Sequence, residues 1–208
     1  MHETTLGLLG YPSKMRRGLL PEEMLLGGKK IGMMALERAL DFSDHVVSVV
    51  SSEEQAEAME AIAQEKGVMI SLRVVDDMSA VSTSISTALD VCGDGYLLAM
   101  PSASPYVSAD ILGLILELIE DRDGVFFRDK SGSIYDFLFG VNVQSARLLL
   151  KKEVELTSLS GLLDGLLRTM TISWSAASTL DPFHLSYFKV STDSDFETAK
   201  RLLKKVMK

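Results

Sequence analysis

The sequence predicts an α/β fold: a Rossmann-like, doubly wound, mostly parallel sheet with helices on both faces. Three observations carry this. Apolar runs rich in β-branched residues, such as His45-Val46-Val47-Ser48-Val49-Val50, read as strands buried on both sides. Between such runs lie stretches with helical apolar spacing, several bounded by capping residues. The two types alternate along all 208 residues, with no repeat, low-complexity tract or linker, which predicts one domain over residues 1–208.

The elements follow in order. A short first strand covers 6–9 and stops at Gly10; apolar residues at helical spacing make 32–40 a helix. The β-branched run 45–50 is a strand. Residues 52–66 form the clearest helix, with Ser52 as N-cap, Gln55 completing a capping box and Gly67 ending it. A strand over 68–75 leads into the hydroxyl-rich stretch 79–89, which turns helical by Ile85. The strand 96–100 is stopped by Pro101, and Ser108 caps an apolar helix over 109–120. Strands at 124–128 and 137–143 are followed by helices at 144–152 and 161–168 and a short strand at 171–174. Thr192 caps a last helix through Val206, with Asp195 closing the box and Phe196, Ala199, Leu202, Leu203 and Val206 as its apolar face.

Composition narrows the function classes. A hydrophobic content of 47% fills one core, and a net charge of −8 argues against a general nucleic-acid binder. Basic residues still cluster at 14–30 and 200–208; the second group reads as a solvated helix face that suits the helix dipole. The single cysteine, Cys92, permits no internal disulfide, and the first residues do not form a signal region, so the expectation is a cytoplasmic protein. No apolar run approaches the roughly 18 residues that span a membrane.

In an open parallel sheet, ligands bind beyond the carboxyl ends of the strands, which directs attention to the loops there. The first loop carries Gly10, Ser13, Lys14, Arg16 and Arg17. Glycine admits a phosphate close to the backbone and the cations neutralise it; a solvated basic loop is the alternative. Neither G-x-x-x-x-G-K-[ST] nor G-x-G-x-x-G is present. The loop after 68–75 carries Asp76, Asp77 and the hydroxyls Ser79, Ser82, Thr83, Ser84, Ser86 and Thr87, suited to a sugar, base or phosphate, or to plain capping. Two prolines fix the loop 101–108, which has hydroxyls and no carboxylate. His2, His45 and His184 have no metal-ligand spacing, there is no G-x-S-x-G elbow, and Cys92 reads as a buried filler. Trp174 reads as packing a satellite cluster.

Four ordered segments resemble the MobA-like nucleotidyltransferases, the family of the molybdenum cofactor guanylyltransferase. Leu8-Leu9-Gly10-Tyr11-Pro12-Ser13-Lys14-Met15-Arg16-Arg17, followed by Leu26-Gly27-Gly28-Lys29 and Met33-Met34-Ala35-Leu36-Glu37-Arg38-Ala39-Leu40, resembles the opening L-A-G-G-x-S-x-R-M-G, then L-x-G-x-x-L-L-E-R-x-L. Val74-Val75-Asp76-Asp77 before Ser84-Ile85-Ser86-Thr87-Ala88-Leu89 resembles a strand and aspartate before G-P-L-A-G-I-x-x-A-L. Leu97-Leu98-Ala99-Met100-Pro101-Ser102-Ala103-Ser104-Pro105-Tyr106-Val107-Ser108 resembles L-x-x-P-C-D-M-P-F-V-S. Lys189-Val190-Ser191-Thr192-Asp193-Ser194-Asp195-Phe196 resembles N-x-N-T-P-E-D-L.

The resemblance implies a nucleotidyltransferase that moves a nucleoside monophosphate, GMP or CMP, from a nucleoside triphosphate to a small phosphorylated acceptor such as molybdopterin, releasing pyrophosphate. It implies Mg²⁺ as cofactor and Gly10, Ser13, Lys14, Arg16, Arg17, Asp76 and Asp77 as nucleotide-binding residues. The sequence departs from the family at Tyr11, which replaces the second loop glycine, and near Leu19-Leu20, where a phosphate-contacting lysine has no counterpart. The metal-binding aspartate falls at Ala103, and the final asparagine pair at Lys189 and Ser191. A catalytically impaired nucleotide-binding or regulatory module therefore stays open beside the enzyme, as does an unrelated doubly wound protein such as a methyltransferase. The apolar helix 109–120 suits either the core or a homodimer contact.

Overall fold

A computed structural model describes residues 3–12, 15, 18–75, 81–151 and 159–206. The strands are β1 (Glu3–Leu9), β2 (Leu25–Leu26), β3 (Lys29–Lys30), β4 (His45–Val50), β5 (Ser71–Val74), β6 (Gly95–Pro101), β7 (Gly124–Arg128), β8 (Ile134–Asn142) and β9 (Thr169–Ile172). Seven of them form one sheet in the order β5-β4-β1-β6-β8-β7-β9, while β2 and β3 pair with each other. Every pairing in the large sheet is parallel except those of β8, which runs against both β6 and β7. The α/β, mostly parallel class is the one the sequence predicts.

The reversed strand has a local cause. Only five residues join β7 to β8, and a parallel return needs a crossover of about a dozen. Asp129 Oδ1 accepts from the backbone N–H groups of Ser131 (2.8 Å) and Ser133 (3.1 Å), and Gly132 takes φ 88°. This is a hairpin turn. Its tightness brings β8 back three residues earlier than the predicted 137–143.

Helices cover both faces. On one side α1 (Ile31–Leu40), α2 (Glu53–Lys66) and α4 (Ala109–Ile119) bury Leu36, Met59, Ile62, Ile111 and Ile115 against Leu6, Leu8, Leu98 and Phe127. On the other side α3 (Val81–Val91), α5 (Val143–Leu150) and α6 (Leu159–Gly165) bury Ile85, Leu89, Val143 and Leu162 against Val47, Val49, Leu97 and Phe139. The apolar face of α4 is thus used by the core. Trp174 opens the short α7 (Trp174–Ala177), where the sequence predicted the end of a strand. It stacks on His184 with ring centroids 3.6 Å apart, the satellite cluster expected of it.

Caps explain several boundaries. Ser52 Oγ accepts from Gln55 N (3.2 Å) and Gly67 ends α2 in the left-handed region at φ 76°. The predicted box is only half formed, because the Gln55 side chain is used elsewhere. The final helix α8 (Asp193–Val206) has the full box: Asp195 N donates to Thr192 Oγ1 (3.2 Å) and Thr192 N donates to Asp195 Oδ2 (2.9 Å). A third cluster joins α8 to the β2–β3 hairpin through Leu26, Ile31, Ala199 and Leu203. Gly27 and Gly28 turn that hairpin at φ 63° and 87°, and the bare Cα of Gly27 faces Leu203.

Candidate functional site

The parallel strands end together on one rim. Leu9 closes β1 beside Pro101, the last residue of β6. Gly10 N donates to Val49 O (2.7 Å) and Ser102 N donates to Leu9 O (3.0 Å), so the first residues beyond both strands are pinned. Gly10 is needed here for room: a Cβ at this position would lie 2.7 Å from Gln55 Nε2 and 2.8 Å from its Cδ.

Beneath this junction sits Glu22, on a 3-10 turn over Pro21–Glu23 and only 1% exposed. Its Oε1 accepts from Ser102 Oγ (2.6 Å) and from Gln55 Nε2 (2.7 Å). Gln55 in turn accepts at Oε1 from Ser51 N (3.0 Å) and Ser51 Oγ (3.1 Å), which is why it cannot close the helix cap. Glu22 Oε2 has no partner among the described residues. Burial raises the carboxyl above the usual carboxylate range, and the hydrogen bonds from Ser102 and Gln55 offset only part of that.

Lys189 forms the opposite wall. Its Nζ lies 3.5 Å from the centroid of the Phe137 ring and 4.8 Å from that of Tyr11, whose rings meet edge to face. Burial pushes the ammonium down to about 8, with the Asp136 and Asp195 carboxylates acting in the other direction. Burial likewise raises Asp136 and the Tyr11 phenol, whose buried oxygen has no partner among the described residues. Val190 N donates to Ala103 O (2.9 Å), holding the Lys189 segment against the loop after β6. Tyr11, Glu22, Ser102, Ala103, Lys189 and Ser191 line a cavity of about 10 Å³, the room of a single water.

Of the residues predicted to bind nucleotide, Gly10 lies at this junction. Ser13, Lys14, Arg16, Arg17, Asp76 and Asp77 fall outside the described residues. In the hydroxyl run, Ser84 is fully buried on α3 and Thr83, Ser86 and Thr87 are half-buried. Sequence reasoning missed Glu22 and Gln55 and met Lys189 only as a departure. The available signal was a charge amid apolar neighbours: Leu20-Pro21-Glu22-Glu23-Met24 and Tyr187-Phe188-Lys189-Val190.

A divalent cation does not fit these residues. Ala103 offers a methyl group where the resemblance implies a carboxylate. Lys189 lines the same cavity, and Glu22, whose Oε1 already accepts from two donors, has only Oε2 to offer. Among the described residues no cluster of three His, Cys, Asp or Glu side chains forms a metal site.

No protein-family model and no curated protein matches this chain. Solved structures do. Molybdopterin-guanine dinucleotide biosynthesis protein A from Archaeoglobus fulgidus superposes with a TM-score of 0.72 at 18% identity, over 97% of this chain and 99% of that one. The two chains share one fold. A nucleotidyl transferase from Methanothermobacter gives a TM-score of 0.72 at 15% identity, over 98% and 99% of the two chains. The 4-diphosphocytidyl-2C-methyl-D-erythritol synthase from Anaerococcus prevotii gives 0.70 at 12% identity, over 98% and 96%. The resemblance read from four short segments thus extends, as shared fold, along nearly the whole chain. Among the described residues, no helix is long and apolar enough to cross a membrane.

Proposed function

We propose that this chain binds a nucleoside triphosphate at the carboxyl rim. It transfers the nucleoside monophosphate, GMP or CMP, to a small phosphorylated acceptor such as molybdopterin. The observation that carries this reading is Lys189, a desolvated ammonium in the cleft between the ends of β1 and β6. Open α/β sheets take their ligands at this edge. A cation with few water partners gains more from a phosphate oxygen than an exposed lysine does. The fold shared with nucleotidyltransferases supports the same reading.

In this reaction an acceptor oxygen attacks the α-phosphorus, the bond to the bridging oxygen of the β-phosphate breaks, and pyrophosphate leaves with that oxygen. Lys189 neutralises charge developing on the α-phosphoryl oxygens or the leaving group. The first loop brings Lys14, Arg16 and Arg17 to the rest of the triphosphate, while Asp76 and Asp77 take the ribose, base or acceptor. Mg²⁺, which the resemblance implies, finds no ligand set among the described residues.

The second reading, a nucleotide-binding or regulatory module without transfer, is favoured by one observation. Ala103 puts a methyl group where the resemblance implies the metal-binding carboxylate. One experiment separates the two: each radiolabelled triphosphate is incubated with a panel of phosphorylated acceptors, and pyrophosphate is counted. Pyrophosphate above background establishes transfer. Calorimetric binding without pyrophosphate establishes the module. Neither binding nor release refutes both.

A further inference from the structure

We infer that this cleft neutralises the phosphates of its ligand with the Lys189 ammonium in place of a protein-held divalent cation, so that triphosphate binding does not require Mg²⁺. The inference rests on the functional reading above and concerns the charge balance of that same site.

The argument is one of charge and room. A divalent cation bridging protein and phosphate needs oxygen donors from the protein, at least one of them a carboxylate as a rule. The loop after β6 presents Ser102 and Ala103 to the cleft. Ser102 spends its proton on Glu22 Oε1, and the Ala103 carbonyl accepts from Val190 N. Among the described residues Glu22 is the one carboxyl lining the cavity, and its Oε1 already accepts from Ser102 and Gln55.

Lys189 stands in this same cavity. Its stem is fixed by Phe137 and Tyr11, and its backbone segment is held to Ala103 through Val190. A divalent ion in this water-sized space would lie close to the Lys189 side chain and be repelled by its ammonium, since little solvent screens them. The fixed charge is on the protein before the ligand arrives. Where the resemblance implies a carboxylate at 103 and an asparagine at 189, this chain has a methyl group and an ammonium.

The test is calorimetric titration of GTP, CTP, ATP and UTP into the full chain, once with excess Mg²⁺ and once with EDTA. The expected result is an affinity for the preferred triphosphate that agrees within about threefold between the two conditions. Lys189→Met is expected to weaken binding about tenfold to hundredfold in both, the loss of one charge-assisted contact. Thermal melting of the variant confirms that it is folded, and the wild-type comparison needs no variant at all. Binding that appears only with Mg²⁺, or an unchanged affinity in a folded Lys189→Met, overturns the inference while leaving nucleotide binding in place. Failure of all four triphosphates to bind under either condition overturns the functional reading, and the inference with it.

Discussion

Glu22→Gln isolates the least ordinary group in the structure. The carboxyl is 1% exposed, with both Oε1 hydrogen bonds satisfied and Oε2 unpartnered among the described residues. Burial raises its folded pKa above the unfolded one. The protonated form is thus favoured in the fold: stability from this group is full below the unfolded value and is lost as pH rises through the raised folded value. Glutamine keeps the Oε1 acceptor for Ser102 and Gln55 and removes the ionisation. The variant is expected to match the wild type in acid and to become progressively more stable than it as pH rises above the ordinary carboxylate range. Leaving a buried polar group unsatisfied costs about 1–3 kcal/mol, and about 1 kcal/mol moves the midpoint of a chain of this size by about 2–4 °C. The difference in melting temperature should therefore grow from near zero to several degrees, measured by circular dichroism across that pH range. A variant less stable than the wild type at high pH, or a difference independent of pH, refutes the assignment of Glu22 as a carboxyl held neutral by burial.

Three further outcomes follow from the same geometry. Gly10→Ala should cost about 1–3 kcal/mol in chemical denaturation, because the new methyl displaces a Gln55 amide already fixed by Ser51 and Glu22. Triphosphate affinity should fall as pH rises through about 8, where Lys189, faced by Asp136, Asp195 and the Tyr11 phenol, loses its proton; calorimetry at pH 7 and 9 checks this. Asp123 is desolvated, which alone would raise it, yet Ser145 Oγ, Arg168 N and the Arg168 guanidinium together hold it below the usual carboxylate range. Its contribution is present above the unfolded value and lost as pH falls through the folded one. Asp123→Asn should accordingly destabilise by about 1–3 kcal/mol at neutral pH, with the gap closing in acid on thermal melts.

Periodicity made most of the frame legible, because each strand and helix buries its own apolar set. β4 and β7 match the predicted 45–50 and 124–128, and the Thr192–Asp195 box starts α8 as its spacing dictates. The reversal of β8 was legible in principle from Asp129-Lys130-Ser131-Gly132-Ser133, a turn too short for a crossover. β5 came out shorter than 68–75 because Val68 to Ile70 find no ladder partner on β4. The site was far less legible. Gly10 is where a phosphate loop would place it, yet its bare Cα faces Gln55, on α2. Gln55 looked like a capping residue from its spacing to Ser52 alone. Glu22, Ser102 and Lys189 meet only in three dimensions, and no local pattern ties a buried acid to a partner in the loop after β6.

The two walls of the cleft come from distant parts of the chain. Glu22 belongs to the opening loop, whereas Lys189 belongs to the tail that docks through Val190 on Ala103 and through α8 on the first hairpin. Undocking that tail breaks no ladder of the central sheet but dismantles the pocket. The pocket therefore exists only while two segments far apart in the sequence stay together, so its integrity depends on the hold on that tail.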